Sequence, residues 1–180
     1  PGSFETVKNQ YGRYVLAIEN NKAFLIGQGH TKEGQFPFID QFDLKTFKTS
    51  RLYQSNYKDK VEAIFSIEDF KKGDVLVQIQ SKTEYPNYYF RNIKKKNSLT
   101  AITDFKNPFE SIKNIHKEVI KYMRKDGVAL SGTLYLPAGY DMKKKEKLPL
   151  LIWAYPEEFK DKNSAGQSSQ NSNEFTFPYY

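Results

Sequence analysis

The residues that most often perform chemistry in proteins are sparse in this sequence and are not spaced for it. The two histidines, His30 and His116, lie far apart, and neither belongs to an H-E-x-x-H pattern that would bind zinc. Ser131 stands in the segment LSGTLY, and the G-x-S-x-G elbow of a serine hydrolase occurs nowhere. We interpret Ser131 as an ordinary strand residue and each histidine as a surface or hydrogen-bonded side chain.

Other potential sites in the sequence are equally weak. Glu157 and Glu158 are adjacent, so their carboxylates point in different directions and do not form an acid/base pair by spacing. Gly27, Gly29 and Gly34 do not make the G-x-G-x-x-G pattern of a dinucleotide site. The chain has no cysteine, which excludes disulfides, thiolate metal sites and a thiol nucleophile. The residues therefore predict neither a metal site nor a cofactor.

The stretch PLLIWAYP, residues 149–156, is one of the most apolar runs in a lysine-rich chain. It predicts a strand over 148–155 that is covered on both faces, because nearly every residue is apolar. Little sequence follows residue 156 to supply long covering helices, so we expect the chain to be a piece of a larger protein. From the residues alone, Trp153 and Tyr155 are interpreted as core aromatics.

The elements that must position these residues are predicted to be short strands. Residues 14–19 and 23–27 flank Asn20 and Asn21, which indicate a hairpin because asparagine tolerates the left-handed turn conformation. Further strands are expected at 61–67, 75–79, 88–93 and 99–103. Short strands at this spacing, separated by turn residues, are typical of a sandwich, a barrel or propeller blades.

Alternation of side chains along a strand predicts which residues share a face. One set is Val61, Ala63, Phe65 and Ile67, and a second is Val75, Val77 and Ile79. Further along, residues 118–124 and 128–136 flank Asp126-Gly127, a strong signal for a two-residue hairpin in which both turn positions have positive φ.

The net charge of +7, with tyrosine and phenylalanine between the lysines, could indicate nucleic-acid binding. The lysines, however, fall in scattered turns and in two short runs, 94–96 and 143–145, beside polar or proline-containing loops. We interpret them as solvated loops and expect no nucleic-acid partner. No apolar run approaches the roughly 20 residues that span a bilayer, so we also expect no membrane partner. The composition does not indicate a compartment.

Two parts of the sequence resemble a known family. YMRKDGVALSGTLYLPAGYD, followed by LPLLIWAYPEEFKDKNSAGQ, resembles the opening of the α/β-hydrolase domain in the prolyl oligopeptidase family of serine peptidases, and in particular its glutamyl-peptidase-like and dipeptidyl-peptidase-like branch. Upstream, GQGHTKEGQFPFIDQFDLKTFKTSRLYQS and SKTEYPNYYFRNIKKKNSLTAITDFKNPF are similar to the last blades of that family's β-propeller.

The resemblance implies a mostly β fold made of two pieces. Residues 4–107 would be the C-terminal blades of a β-propeller, and 108–180 the N-terminal part of an α/β-hydrolase domain that is truncated before the nucleophile. The boundary is expected near Asn107-Pro108, because proline lacks an amide hydrogen and restricts the residue before it. In that family the propeller covers the hydrolase domain and restricts access to short or unfolded peptides.

The resemblance also implies that the catalytic serine, aspartate and histidine lie further along the chain than residue 180. A chain without them is expected to be inactive, because acyl transfer needs a nucleophile activated by an oriented base. Tyr155 matches the tyrosine that donates its hydroxyl to the oxyanion in many members of the family. Pro156 and Glu157 follow it here, whereas tyrosine-glycine or tyrosine-alanine-glycine is the commoner pattern.

The implied partners are the remainder of the same chain and, in the parent enzyme, a peptide substrate. Homo-oligomers through exposed strand edges are a further possibility. The alternative hypothesis is a self-contained β-rich module that binds a peptide or polysaccharide on an aromatic face.

Overall fold

The computed structural model describes residues 2–31 and 33–154. Within these residues the regular structure is β, apart from one short 3-10 helix, Glu110–Ile112, and no α-helix is present. The strands, in chain order, are β1 (Gly2–Phe4), β2 (Thr6–Lys8), β3 (Tyr14–Leu16), β4 (Ile18–Glu19), β5 (Lys22–Gly27), β6 (Phe38–Asp43), β7 (Thr49–Gln54), β8 (Val61–Asp69), β9 (Asp74–Gln80), β10 (Asn87–Asn92), β11 (Ser98–Ala101), β12 (His116–Met123) and β13 (Ala129–Leu136). The prediction of a mostly β fold is therefore confirmed.

The strands form two antiparallel meanders and two separate hairpins. In the first meander β4, β5, β6 and β7 pair in chain order. Strand β1 also pairs with β5, on the same side as β4 and opposite β6. In the second, β8, β9, β10 and β11 pair in chain order. The hairpins are β2–β3 and β12–β13. The described strands do not close into a ring.

One hydrophobic core joins the two meanders. Its buried side chains come from β5, β6 and β7 on one side and from β8 and β9 on the other: Phe24, Ile39, Tyr53, Ile67, Val75, Val77 and Ile79. The Phe24 ring also packs at 4.5 Å, centroid to centroid, on Phe70, which follows β8. Burial of these apolar side chains is the main force that holds the two sheets together.

Alternation predicted the inward face of β9 but not that of β8. Val75, Val77 and Ile79 are all buried, as expected. In β8 the register shifts between Ile64 and Ser66, so Phe65 is the extra residue of a β-bulge and is 52% exposed. The shared face predicted for β8 is therefore wrong at Phe65, because a bulge breaks the two-residue period.

The two hairpin signals had different outcomes. Asn20 and Asn21 have φ of 50° and 62° and connect the paired residues Glu19 and Lys22, so the predicted two-residue turn is confirmed. At Asp126-Gly127 the hairpin is present, but among the residues of that turn only Gly127 has positive φ, 86°. The Gly127 amide donates to the Arg124 carbonyl at 2.9 Å, which makes a longer loop with glycine in the left-handed position.

The predicted strand at 148–155 is wrong for the residues that the structure describes. Residues 148–154 form no regular structure, and Leu150, Leu151 and Ile152 are each more than three-quarters exposed. A strand needs a neighbour to pair its backbone amides and carbonyls, and no described strand pairs with this segment. Among the described residues there is also no helix of the length and apolarity required to cross a bilayer.

The same side-chain device closes the β6–β7 and β10–β11 turns. The Asp43 carboxylate accepts hydrogen bonds from the amides of Lys45 and Thr46, both at 2.9 Å. In the second meander the Asn92 side-chain oxygen accepts from the amides at positions 94 and 95, at 3.1 and 2.8 Å. The amides of Thr46 and Lys45, with a weaker contribution from the Lys22 ammonium, hold the pKa of Asp43 below its usual value.

We expect the Asp43→Asn variant to lose stability at neutral pH, since the amide keeps the turn but not the charge. A carboxylate whose pKa is lowered on folding stabilises the protein above its unfolded pKa and loses that effect as the pH falls through the folded one. Urea midpoints should therefore differ at about pH 7 and draw together in acid, as the pH falls below about 3.9 and through the lower folded pKa of Asp43. Asp104→Asn is the charge-matched control, because the Asp104 carboxylate is bound by the Lys106 side chain and caps no turn. A difference that persists unchanged in acid would contradict a role for the carboxylate charge.

Candidate functional site

The structure does not bring the sequence-predicted candidates together. Ser131 lies in β13 opposite Lys121 of β12, and His116 lies opposite Leu136 in another pair of the same ladder. The His116 Nε2 atom is 3.3 Å from the Glu118 carboxylate. These contacts fit the interpretation of both residues as parts of an ordinary hairpin.

The remaining candidates lie elsewhere or outside the described part of the chain. His30 forms an isolated bridge with Gln35, and its Nε2 atom is 2.9 Å from Oε1 of Gln28. Trp153, interpreted from the sequence as a core aromatic, is 69% exposed, so that interpretation is wrong. Tyr155 lies outside the described residues, as do Glu157 and Glu158. The described residues include no group of three or more His, Asp or Glu side chains that could hold a metal ion.

The most highly organised polar cluster is one that sequence reasoning missed. Glu62, the second residue of β8, is 1% exposed, and Arg91, in β10, is 4% exposed. The two strands are both neighbours of β9 and lie on either side of it. The pair therefore joins the first and third strands of the second meander.

Each oxygen of the Glu62 carboxylate has its own donor. The Arg91 Nε atom donates to Oε1 at 2.7 Å, and the Tyr53 hydroxyl donates to Oε2 at 2.6 Å. The guanidinium also donates to the Asn97 carbonyl at 3.0 Å and contacts the Tyr57 hydroxyl at 3.2 Å. Since Tyr53 belongs to β7, the cluster connects the two meanders as well as the strands within one.

The electrostatics of the cluster favour a fixed, structural role. Burial, and then the hydrogen bond to Glu62, raise the pKa of Tyr53 well above its usual value. Burial opposes the charge of Arg91, but the Glu62 carboxylate and the Tyr57 hydroxyl outweigh it and raise the guanidinium pKa. The Tyr53 hydroxyl and the Arg91 guanidinium are thus both held more firmly in their protonated forms, which fits a structural role better than a role in proton transfer.

No sequence pattern predicted the cluster of Glu62, Arg91 and Tyr53. In VEAIFSI the alternation places Glu62 on the face opposite Val61, which would normally be a solvated face. Arg91 follows three aromatic residues in β10 and lies far from Glu62 along the chain. The one available signal is a charged residue beside apolar or aromatic residues of a strand, and this signal does not identify the partner.

Arg91→Met should destabilise the chain strongly, because it leaves the Glu62 carboxylate buried without its cation. Breaking a buried pair in this way costs about 3–5 kcal/mol of unfolding free energy, measured by urea titration. Arg51→Met is the matched control, since Arg51 pairs with Asp40 but is 42% exposed in its side chain. Its expected cost is about 0–1 kcal/mol. Equal losses in the two variants would show that burial of the pair is not what matters.

Two curated relatives match nearly the whole chain. It is 39% identical over 188 residues to a probable chloroplastic glutamyl endopeptidase of Oryza sativa subsp. japonica, and 38% identical over 189 residues to the protein of the same name from Arabidopsis thaliana. Each alignment covers 97% of this chain and 20% of the relative. The chain thus spans about a fifth of the length of these relatives.

The similarity to solved structures is weaker than the similarity to these relatives. A variant of the AtxE2 isopeptidase with bound Astexin3-dC4 aligns with a TM-score of 0.46 and 14% identity, covering 76% of this chain and 19% of that one. No protein-family model matches the chain. By the names of its curated relatives, the chain is similar to peptidases along nearly its whole length.

Proposed function

We propose that this chain is part of a serine peptidase of the prolyl oligopeptidase family, which cleaves peptides by acyl transfer. The observation that carries the proposal is the 39% identity to a probable glutamyl endopeptidase over 97% of the chain. Identity at this level across the β meanders, the hairpin and the apolar run argues for a shared architecture and not for one shared motif. In this proposal the chain corresponds to one part of the larger enzyme.

Residues 4–107 are proposed to be the C-terminal blades of a β-propeller. Two features support this: each meander consists of four consecutive antiparallel strands, as a blade does, and the β6–β7 and β10–β11 turns are closed by Asp43 and Asn92 in the same way. A recurring four-strand unit with the same turn at the same place is expected of blades built from one repeat.

Residues 108–180 are proposed to be the beginning of the α/β-hydrolase domain. Residues 102–115, between β11 and β12, contain no strand, and the proposed boundary at Asn107-Pro108 falls within them. Beyond it, β12–β13 and the exposed apolar residues 150–153 need further structure to cover them. We propose that the remainder of the same chain supplies that cover, and that association between copies through strand edges competes with it.

The catalytic mechanism would then divide between this chain and residues outside it. A serine activated by histidine and aspartate attacks the peptide carbonyl, and the resulting oxyanion needs hydrogen-bond donors. Those three residues are proposed to lie outside this chain. Tyr155 is proposed to supply one donor through its hydroxyl group.

We expect the 180-residue chain to be inactive by itself. It should not hydrolyse chromogenic peptide esters or amides above the buffer rate, and a fluorophosphonate probe should not label it, because the serine, histidine and aspartate that act together are proposed to lie outside it. A serine peptidase with an intact triad serves as the positive control. Stoichiometric labelling of any serine would show that the chain has its own nucleophile and would overturn the proposal.

In the complete enzyme, Tyr155→Phe should lower kcat much more than it raises KM. The hydroxyl would meet charge that develops in the transition state, and the loss of one such donor typically costs about 10²- to 10³-fold in kcat. Tyr140→Phe is the matched control, since the Tyr140 hydroxyl donates to the Glu146 carbonyl at 2.7 Å. That variant should keep kcat and lose about 1 kcal/mol of stability. If Tyr155→Phe behaved as this control does, Tyr155 would be a packing residue.

A further inference from the structure

Four turns meet at one end of the two meanders. In an antiparallel meander every second connection lies at the same end, which groups residues 19–22, 43–48, 68–74 and 93–97. Hydrogen bonds join the two turns of each meander: the Leu44 amide donates to the Asn21 carbonyl at 3.0 Å, and the Ile93 amide to the Gly73 carbonyl at 2.9 Å. We call these four segments the lysine-rich end.

The lysine-rich end carries an excess of positive charge. Its four segments contain eight lysines and five carboxylates, whereas the opposite loops, 28–37, 55–60, 81–86 and 102–106, contain five lysines and four carboxylates. Two of the five carboxylates at the lysine-rich end, those of Asp43 and Asp69, already accept backbone hydrogen bonds. Lys45 and Lys48 are exposed and pair with no described carboxylate.

A cavity of about 230 Å³ opens at the same end, between the two sheets. Its floor is apolar, and its mouth carries ammonium groups and one carboxylate. The floor consists of Phe24, Leu52, Ile67, Phe70 and Ile93, and the charged groups of the mouth belong to Lys22, Lys71, Lys94 and Glu19. The volume exceeds the roughly 150 Å³ of an apolar cavity that holds benzene, so one leucine or phenylalanine side chain can enter.

The cations at the mouth of the cavity are held in place. The Lys94 Nζ atom donates to the carbonyls of Phe70 and Lys71, at 3.0 and 2.7 Å, and the Lys71 ammonium lies 3.8 Å from the Glu19 carboxylate. The positive field at the opening is therefore set by the fold as well as by mobile side chains.

We propose that the lysine-rich end binds an acidic peptide segment, with one large apolar side chain in the cavity and flanking Asp or Glu side chains against the surrounding lysines. Charge complementarity selects the acidic residues, and the apolar floor selects the anchor. The inference concerns binding alone and does not depend on the proposed peptidase activity.

A peptide fits this surface better than a nucleic acid does. The rings of Phe24 and Phe70 pack on one another, so they are not free to stack on bases. The carboxylates among the lysines would repel a continuous phosphate backbone, whereas a peptide can place its own amides opposite them.

The test uses the 180-residue chain and a fluorescein-labelled peptide, Glu-Glu-Leu-Glu-Glu, followed by fluorescence anisotropy. We expect saturable binding that weakens between about 50 and about 200 mM salt. The Lys45, Lys48 and Lys95→Gln triple variant should bind about tenfold more weakly, since three charges that face the peptide are lost. The matched triple variant, Lys82, Lys121 and Lys125→Gln, removes the same charge away from this end and should bind within about twofold of wild type.

The anchor is tested separately. The Leu52→Asp substitution places a negative charge in the cavity. The fold should tolerate it, because Leu52 lies on the edge strand β7 and is 38% exposed. It should abolish binding, as should serine in place of the leucine of the peptide. The proposal fails if saturation is not reached at about 1 mM peptide, or if both triple variants lose affinity equally. It also fails if an oligothymidylate binds more tightly and depends on the same three lysines, which would identify a nucleic-acid surface.

Discussion

The buried Glu62 carboxylate is the point on which the arrangement of the two meanders depends. It receives one hydrogen bond from Arg91 within its own sheet and one from Tyr53 in the other sheet, so a single side chain sets the position of both. Apolar packing alone would allow the sheets to slide, since it is non-directional. The two directed bonds fix one relative position, at which the core side chains of both sheets are buried together.

Local chemistry made part of the fold predictable from sequence. Asn20 and Asn21 predicted their own turn, because the preference for positive φ belongs to the residues themselves. The alternation of apolar residues in β9 predicted its buried face, because successive side chains of a strand point to opposite faces. The prediction was less successful where the pairing of two strands determines the local structure. The bulge at Phe65 depends on the pairing of β8 with β9, and the conformation at Asp126-Gly127 depends on the length of the loop between β12 and β13.

The Glu62 cluster was the least predictable part, because its central pair, Glu62 and Arg91, lies 29 residues apart in the sequence. Glu62 and Arg91 are joined by the topology, and neither residue type indicates the other. The lysines were interpreted as scattered solvated loops, and they are scattered in sequence, but the meanders place half of the turns at one end. The role of Tyr155 came from resemblance to a family and lies outside the described residues, so it stays a prediction.

The separation of the β12–β13 hairpin from both meanders has a consequence for amide exchange. The meanders share one core, so their central amides are expected to exchange with solvent only through cooperative opening of that core. The hairpin pairs with no other described strand, and a two-stranded ribbon is marginal when isolated. Deuterium would therefore enter β12–β13 early and β9 late, with the change in protection between residues 102 and 115.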